Sequence, residues 1–299
     1  MSNYSPLRYP GGKSKLSTFI QSIIEENNLL DCTYIEPFCG GSAVALSLLL
    51  EGFAKKIIIN DYDYVIYSFW HSVTCDTENF IKKIKDAKLS LTAWEKAKRI
   101  HKNQTEHSIL EVGFATFLLN RVNRSGILKA GIIGGKSQTG PWKMDARYNK
   151  SELIERIERI ALQRNRIEIM NSDALDCLEE IQNRHLSNTF AYLDPPYYHK
   201  GPELYLNFFN HEDHLRISKF MRKMKFSPWL ISYDNCDEIS KLYSFLPSTS
   251  YELNYSAGNT RNKGKELLFT SKGLILPSTL SNNLQSKHPQ DLKTSPKRA

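Results

Sequence analysis

The chain has 299 residues, 40% hydrophobic and 11% aromatic, with 40 Lys and Arg against 32 Asp and Glu, a formal charge of +8 and a pI near 9.1. This is the composition of a well-packed globular protein, long enough for one large domain or a core domain carrying an insertion, and its basic excess favours a polyanionic partner. No apolar run nears the roughly 20 residues that span a bilayer, no signal pattern opens the chain, and Cys32, Cys39, Cys75, Cys177 and Cys236 form no C-x-x-C pair or dense framework, so a reducing cytoplasm is expected.

The first motif is "RYPGGKSKL", Arg8 to Leu16. A phosphate loop would need a buried strand and a glycine five residues ahead of the Gly-Lys pair. Leu7 stands there, after a short polar run, so these glycines serve another ligand. A strand is expected over Thr33–Pro37, then a glycine turn at Gly40 and Gly41, then a helix rich in Ala and Leu. "AKKIIINDYD" supplies the next strand, and two strands with a helix between them imply a parallel pair in an α/β sheet.

From about Phe69 to Trp142 the pattern changes to polar helical segments and then an irregular stretch that holds five of the 15 glycines between Gly126 and Gly140. Between Arg121 and Lys150 seven basic residues (Arg121, Arg124, Lys129, Lys136, Lys143, Arg147, Lys150) face one acid, Asp145. Such a loop suits DNA, with Arg and Lys on phosphates and Asn or Arg on base edges; Arg121, Asn123, Arg124 and Lys136 are the candidate contacts. A helix follows in "SELIERIERIALQRN", with Leu153, Ile154, Ile157, Ile160 and Ala161 on one face and Asn149 and Glu152 as its capping pair. Strand signals resume in "RIEIMNSD", "TFAYLDPPYY", "PWLISYDN", "YELNY" and "KELLFTS". "HEDH", His211 to His214, lacks a third ligand cluster and reads as a helix start with acids rather than a metal site. From about Leu276 the chain is polar and Ser/Pro/Lys-rich, and disorder is expected.

The segment "AYLDPPYY", Ala191 to Tyr198, carries the chemistry. A short apolar strand delivers Asp194, Pro195, Pro196 and Tyr197 to its carboxyl end, where open α/β sheets bind ligands. Prolines donate no backbone hydrogen bond, so the segment offers acceptors, the Asp194 carboxylate and the Pro195 carbonyl, beside an aromatic face. That pairing suits the amino group of a nucleobase. Its lone pair is delocalised into the ring, and two acceptors holding its hydrogens out of plane would aim that pair at an electrophile. Tyr197 would stack on the base, which in a duplex must first be flipped out.

"DPPY", preceded in order by "RYPGGKSKL", "EPFCGGSA" and "IINDYD" and accompanied by "LNRVNRSGI" and "ISYDN", resembles the Dam-like DNA adenine-N(6) methyltransferases over about Leu7 to Phe269. The resemblance implies S-adenosylmethionine as methyl donor, with Tyr9 and Lys13 of the first motif, Glu36, Phe38 and Gly40 of the second, Asp61 on the ribose, Asp173 on the adenine amino group, and Asp194 touching both ligands. No metal and no covalent intermediate are implied. Tyr9 replaces a commoner tryptophan, Pro10 a small residue, and Ala174 a frequent phenylalanine after Asp173.

The expected architecture is a Rossmann-like class I methyltransferase core with a mostly parallel twisted sheet: residues 1–70 its first part, 71–150 an inserted, largely helical target-recognition domain, 151–275 its second part, and 276–299 a tail. The expected reaction is site-specific methyl transfer to the 6-amino group of adenine in duplex DNA, either beside a separately acting restriction endonuclease or by a solitary or phage methylase. Two competitors stand: methylation of cytosine or of RNA adenine, and a DNA-binding scaffold that no longer turns over.

Overall fold

The structure is a computed structural model that describes residues 4–8, 14–199, 209–225, 228–257 and 260–277. Tyr9, Lys13 and the tail from 278 lie outside the described residues. Seven strands, β1 (Cys32–Glu36), β2 (Ala54–Asn60), β3 (Ile167–Met170), β4 (Thr189–Leu193), β5 (Trp229–Asp234), β6 (Ser248–Ala257) and β7 (Thr260–Thr270), form one sheet in the order β3-β2-β1-β4-β5-β7-β6. The pairings among β1 to β5 are parallel, whereas β7 runs antiparallel to both β5 and β6.

The parallel strands read as near-continuous apolar runs because both their faces are covered. Tyr34, Ile57 and Ile59 face one cluster of buried residues, while Ile35 and Ile58 face the other, the two-residue alternation of a strand. Helices α1 (Ser14–Glu26), α2 (Ala43–Leu50) and α3 (Tyr64–Cys75) cover the first face. Helices α8 (Ala174–Asn183), α9 (His211–Lys223) and α10 (Asp237–Leu242) cover the second. This is the α/β arrangement expected from the sequence. The chain moves outward through β2 and β3, then returns to place β4 on the other side of β1, and that reversal opens a crevice beyond the carboxyl ends of β1 and β4.

The intervening segment holds α4 (Thr77–Asp86), α5 (Leu91–Lys102) and α6 (Ile109–Val122), and α7 (Lys150–Ala161) leads back to β3. It builds no core of its own. Phe69 of α3 stacks on Phe117 of α6 with ring centroids 6.1 Å apart, Phe80 of α4 meets both, and the same apolar cluster runs on to Ile157 of α7 and to the sheet. Residues 71–150 therefore add a helical layer welded to one face of the sheet. Helix α6 lies so close to α3 that a Cβ on Gly113 would stand 2.4 Å from Ser72 Oγ and 2.5 Å from the Ser68 carbonyl.

Candidate active site

Four acidic side chains stand at or just beyond the carboxyl ends of the first four strands. Glu36 closes β1, is buried, and accepts from the Tyr34 hydroxyl at 3.1 Å and the Ala45 amide at 3.2 Å, in the first turn of α2. The chain then turns through Gly40, whose φ of 45° is strained for any side chain. The Gly40 amide donates to Asp61 at 2.9 Å and its carbonyl accepts from the Trp70 indole at 2.9 Å. Asp61, just past β2, also accepts from the Asp63 amide at 3.0 Å. Burial outweighs these two bonds and raises its pKa to about 7. Phe38 meets Phe209 edge-on at 6.0 Å and packs on the second cluster. Asp173, beyond β3, caps α8 by accepting from the Leu175 amide at 2.9 Å and pairs with the Arg216 guanidinium at 2.9 and 3.2 Å.

Asp194 follows β4, and Pro195 and Pro196 are buried behind it. The Ser232 hydroxyl of β5 donates to Asp194 Oδ1 at 3.3 Å, and it lies 2.7 Å from the Tyr192 hydroxyl. With its one proton given to the carboxylate, Ser232 takes Tyr192 as donor, so a short relay fixes one carboxylate oxygen. The Tyr197 hydroxyl donates to Glu266 of β7, a carboxylate that is itself buried. Asp234, ending β5, accepts from the amides of Tyr198 at 2.8 Å and His199 at 3.2 Å. Ser232, Asp234 and Glu266 thus hold the "DPPY" loop. Sequence reasoning gave them no role. The available signal was alternation: Ser232 and Asp234 are the two polar positions, two apart, of an otherwise apolar strand.

The basic segment needs one correction. Asn123 is 0% exposed, its Oδ1 accepts from the Trp94 indole at 2.8 Å, and its Nδ2 donates to the carbonyls of Ile127 and Leu128 at 3.1 and 2.9 Å. Its amide is spent on shaping the loop, so it reads no base. Arg121 is 8% exposed, buried along all but a small part of its side chain at the carboxyl end of α6. Asn120, which drew no attention in the sequence, clamps the N-terminal segment by accepting from the Arg8 amide at 2.7 Å and donating to the Arg8 carbonyl at 2.8 Å. Arg124 and Lys136 are exposed, as are Lys129, Lys143, Arg147 and Trp142.

"HEDH" opens α9 with a capping box between Asn210 and Asp213, as its acids implied, and His214 is buried against Tyr198 and Tyr233. Among the described residues one trio, His199, Cys236 and Glu238, brings its ligand atoms within 4.8 Å of one another. Burial pushes the Cys236 thiol up to about 11, and the Glu238 carboxylate pairs with His199 at 3.5 Å, which accounts for the grouping without an ion.

The sequence profile of the D12 class N6 adenine-specific DNA methyltransferases matches residues 9–256. A type II methyltransferase, M.MjaIII of Methanocaldococcus jannaschii, is 23% identical over 262 residues, covering 79% of this chain and 86% of that protein. Among solved structures, an O-methyltransferase from Bacillus cereus in complex with SAH aligns at a TM-score of 0.39 and 11% identity over 89% of this chain and 84% of that one. An S-adenosylmethionine-dependent methyltransferase described as of class I, from Listeria monocytogenes, aligns at 0.38 and 9% over 91% and 64%. At TM-scores this low the likenesses decide nothing, and the fold class stands on strand order and pairing.

Proposed function

The chain belongs to the D12 class N6 adenine-specific DNA methyltransferases, and from that premise we propose that S-adenosylmethionine binds across the carboxyl ends of β1, β2 and β3 and that the target adenine, flipped from duplex DNA, meets Asp194. The chemistry of the edge fits this donor. Glu36, Asp61, Asp173 and Asp194 are acceptors, and S-adenosylmethionine is a cation that presents an ammonium, two ribose hydroxyls and an adenine amino group as donors. Asp61 is the residue for the ribose, Asp173 for the adenine amino group, and Glu36, Phe38 and Gly40 line the methionine end, with Tyr9 and Lys13 joining them from the N-terminal motif. When bound, the cofactor supplies a methyl carbon made electrophilic by its sulfonium.

Asp194 and the Pro195 carbonyl accept the two hydrogens of the adenine amino group, turning its lone pair out of conjugation. Tyr197, anchored through its hydroxyl on Glu266, offers its ring to the base. With the donor held by these residues, its methyl carbon would be the electrophile for the amino nitrogen, sulfur would keep the electrons of the carbon–sulfur bond, and Asp194 would take the surplus proton of the amino group. The single observation that carries this reading is the hydrogen-bonded mounting of Asp194 on Ser232 and Tyr192 at the strand-order reversal. The helical layer with exposed Arg124 and Lys136 is the recognition part, in a cytoplasmic enzyme working beside a restriction endonuclease or alone.

Labelled S-adenosylmethionine, unmethylated duplex DNA and nucleoside digestion test it. Label in N(6)-methyladenine is the expected outcome; label in cytosine or only in RNA overturns the substrate. Asp194→Ala should lower transfer by about 10²- to 10⁴-fold with DNA affinity retained, and equal loss of both refutes its role.

A further inference from the structure

Arg121 is an electrostatic anomaly. A guanidinium carries five N–H donors, and one buried beyond nine-tenths should be paired. Among the described residues no acceptor takes a hydrogen bond or ion pair from this one, and its Nε is sealed from solvent without a partner. After burial, the largest influences on it are of its own sign: Arg156 and Arg8 oppose its charge, and Glu152 and the Tyr148 hydroxyl favour it by less. Glu152 is already engaged by Arg156, whose other nitrogen donates to the Ser5 carbonyl at 3.1 Å. Arg8 reaches the Asn123 carbonyl at 3.0 Å and feels Arg147 in turn. The carboxyl end of α6 adds about half a negative charge, too little for three guanidinium groups. Burial and these neighbours lower the Arg121 pKa to about 10, so it still carries its charge at neutral pH.

A buried hydroxyl completes the arrangement. Tyr148 lies beside Arg121 and its OH has no partner among the described residues. Unused donors of a planar fork, a spare hydroxyl and uncompensated positive charge together describe a receptor for a tetrahedral oxyanion. The exposed basic residues Arg124, Lys136, Lys143 and Arg147 belong to the same stretch of chain, which makes a polyanion rather than a free ion the fitting source.

We propose that Arg121, flanked by Arg8 and Arg156 and with Tyr148 as a further donor, receives one backbone phosphate of the DNA substrate at the seam between the N-terminal segment and the helical layer. It rests on the DNA methyltransferase reading given above. Arg121 then fixes the strand's position and reads no base, and the methyl-transfer machinery is untouched by it.

The test is a set of duplexes in which single phosphates around the target adenine are replaced by neutral methylphosphonates, with affinity measured for the full chain and for Arg121→Gln. The unaltered protein should lose about 10- to 100-fold at one position, and Arg121→Gln should show the loss on normal DNA and no further loss at that position. Arg156→Gln, nearer the rim, gives the same comparison if the first variant folds poorly, and Arg121→Lys should recover part of the affinity. Additive losses at every position overturn the proposal. So does reduced cofactor affinity with unchanged DNA affinity, or competition by inorganic phosphate that equals chloride at matched ionic strength while the phosphate position is never found. Failure to label N(6)-methyladenine in the same duplexes fails the functional reading, which separates the two.

Discussion

Two side chains at the candidate site make predictions by their atoms alone. Ser232→Ala removes the donor to Asp194 Oδ1 and the hydroxyl that meets the Tyr192 hydroxyl. A net bond of about 1 to 1.5 kcal/mol predicts a fall in kcat of roughly tenfold with little change in cofactor affinity. Steady-state kinetics that move KM and not kcat would dismiss the relay. Asp61 makes a pH prediction. Its pKa rises from 3.8 to about 7 on folding, so between those values the native protein holds a proton that the unfolded chain has lost. That contribution is complete below about pH 4 and disappears as pH climbs through 7. Melting temperatures from pH 5 to 8 should fall more steeply for the unaltered protein than for Asp61→Asn, and S-adenosylmethionine affinity should rise over the same interval as the acceptor ionises. Asp194 was legible in the sequence because two prolines after an apolar strand leave its carboxylate few other uses. Asn123 was misread because a polar side chain in a basic loop looks alike whether it faces a groove or an indole, and Trp94, 29 residues earlier, decides the matter.

At the scale of elements, local rules carried far. The turn after β1, the cap of α7 by Asn149 on the Glu152 amide, and the acidic start of α9 follow from residues within a few positions of one another. The antiparallel entry of β7 between β5 and β6 does not, since "YELNY" and "KELLFTS" carry the same alternation whichever neighbour they join. Nor does the closeness of α3 and α6. Gly113→Ala would gain about 1 kcal/mol of helix propensity yet drive a methyl group into the Ser68 carbonyl. Overpacking of this kind costs about 1 to 3 kcal/mol. A net drop of a few degrees in melting temperature is expected, and a rise would mean the helices separate without strain. The roles of Ser232 and Glu266 were hidden for the related reason that each acts on a loop it meets only after the sheet is paired.

For the whole molecule, the +8 charge is organised along the chain, with exposed Arg124, Lys129, Lys136 and Lys143 in one loop-rich stretch and Glu36, Asp61, Asp173 and Asp194 at or just past strand ends. Replacing Arg124 and Lys136 by Ala should weaken DNA binding about equally for target and non-target sequences and reduce the log–log salt slope by about 1 for each phosphate left without its basic partner. An unchanged slope removes both from the DNA-binding surface. The assembly also has a temporal side. Tyr197 is tethered to Glu266, 69 positions later, and Asp234 is paired in register with that same residue across β5 and β7. A ribosome releasing this chain delivers the carboxyl ends of β1 to β4 long before the strand that anchors Tyr197. On the reading proposed above, nascent chains shorter than about 266 residues would lack the carboxylate that anchors Tyr197, so the order of synthesis would delay a mounted site for the base until the sheet has closed.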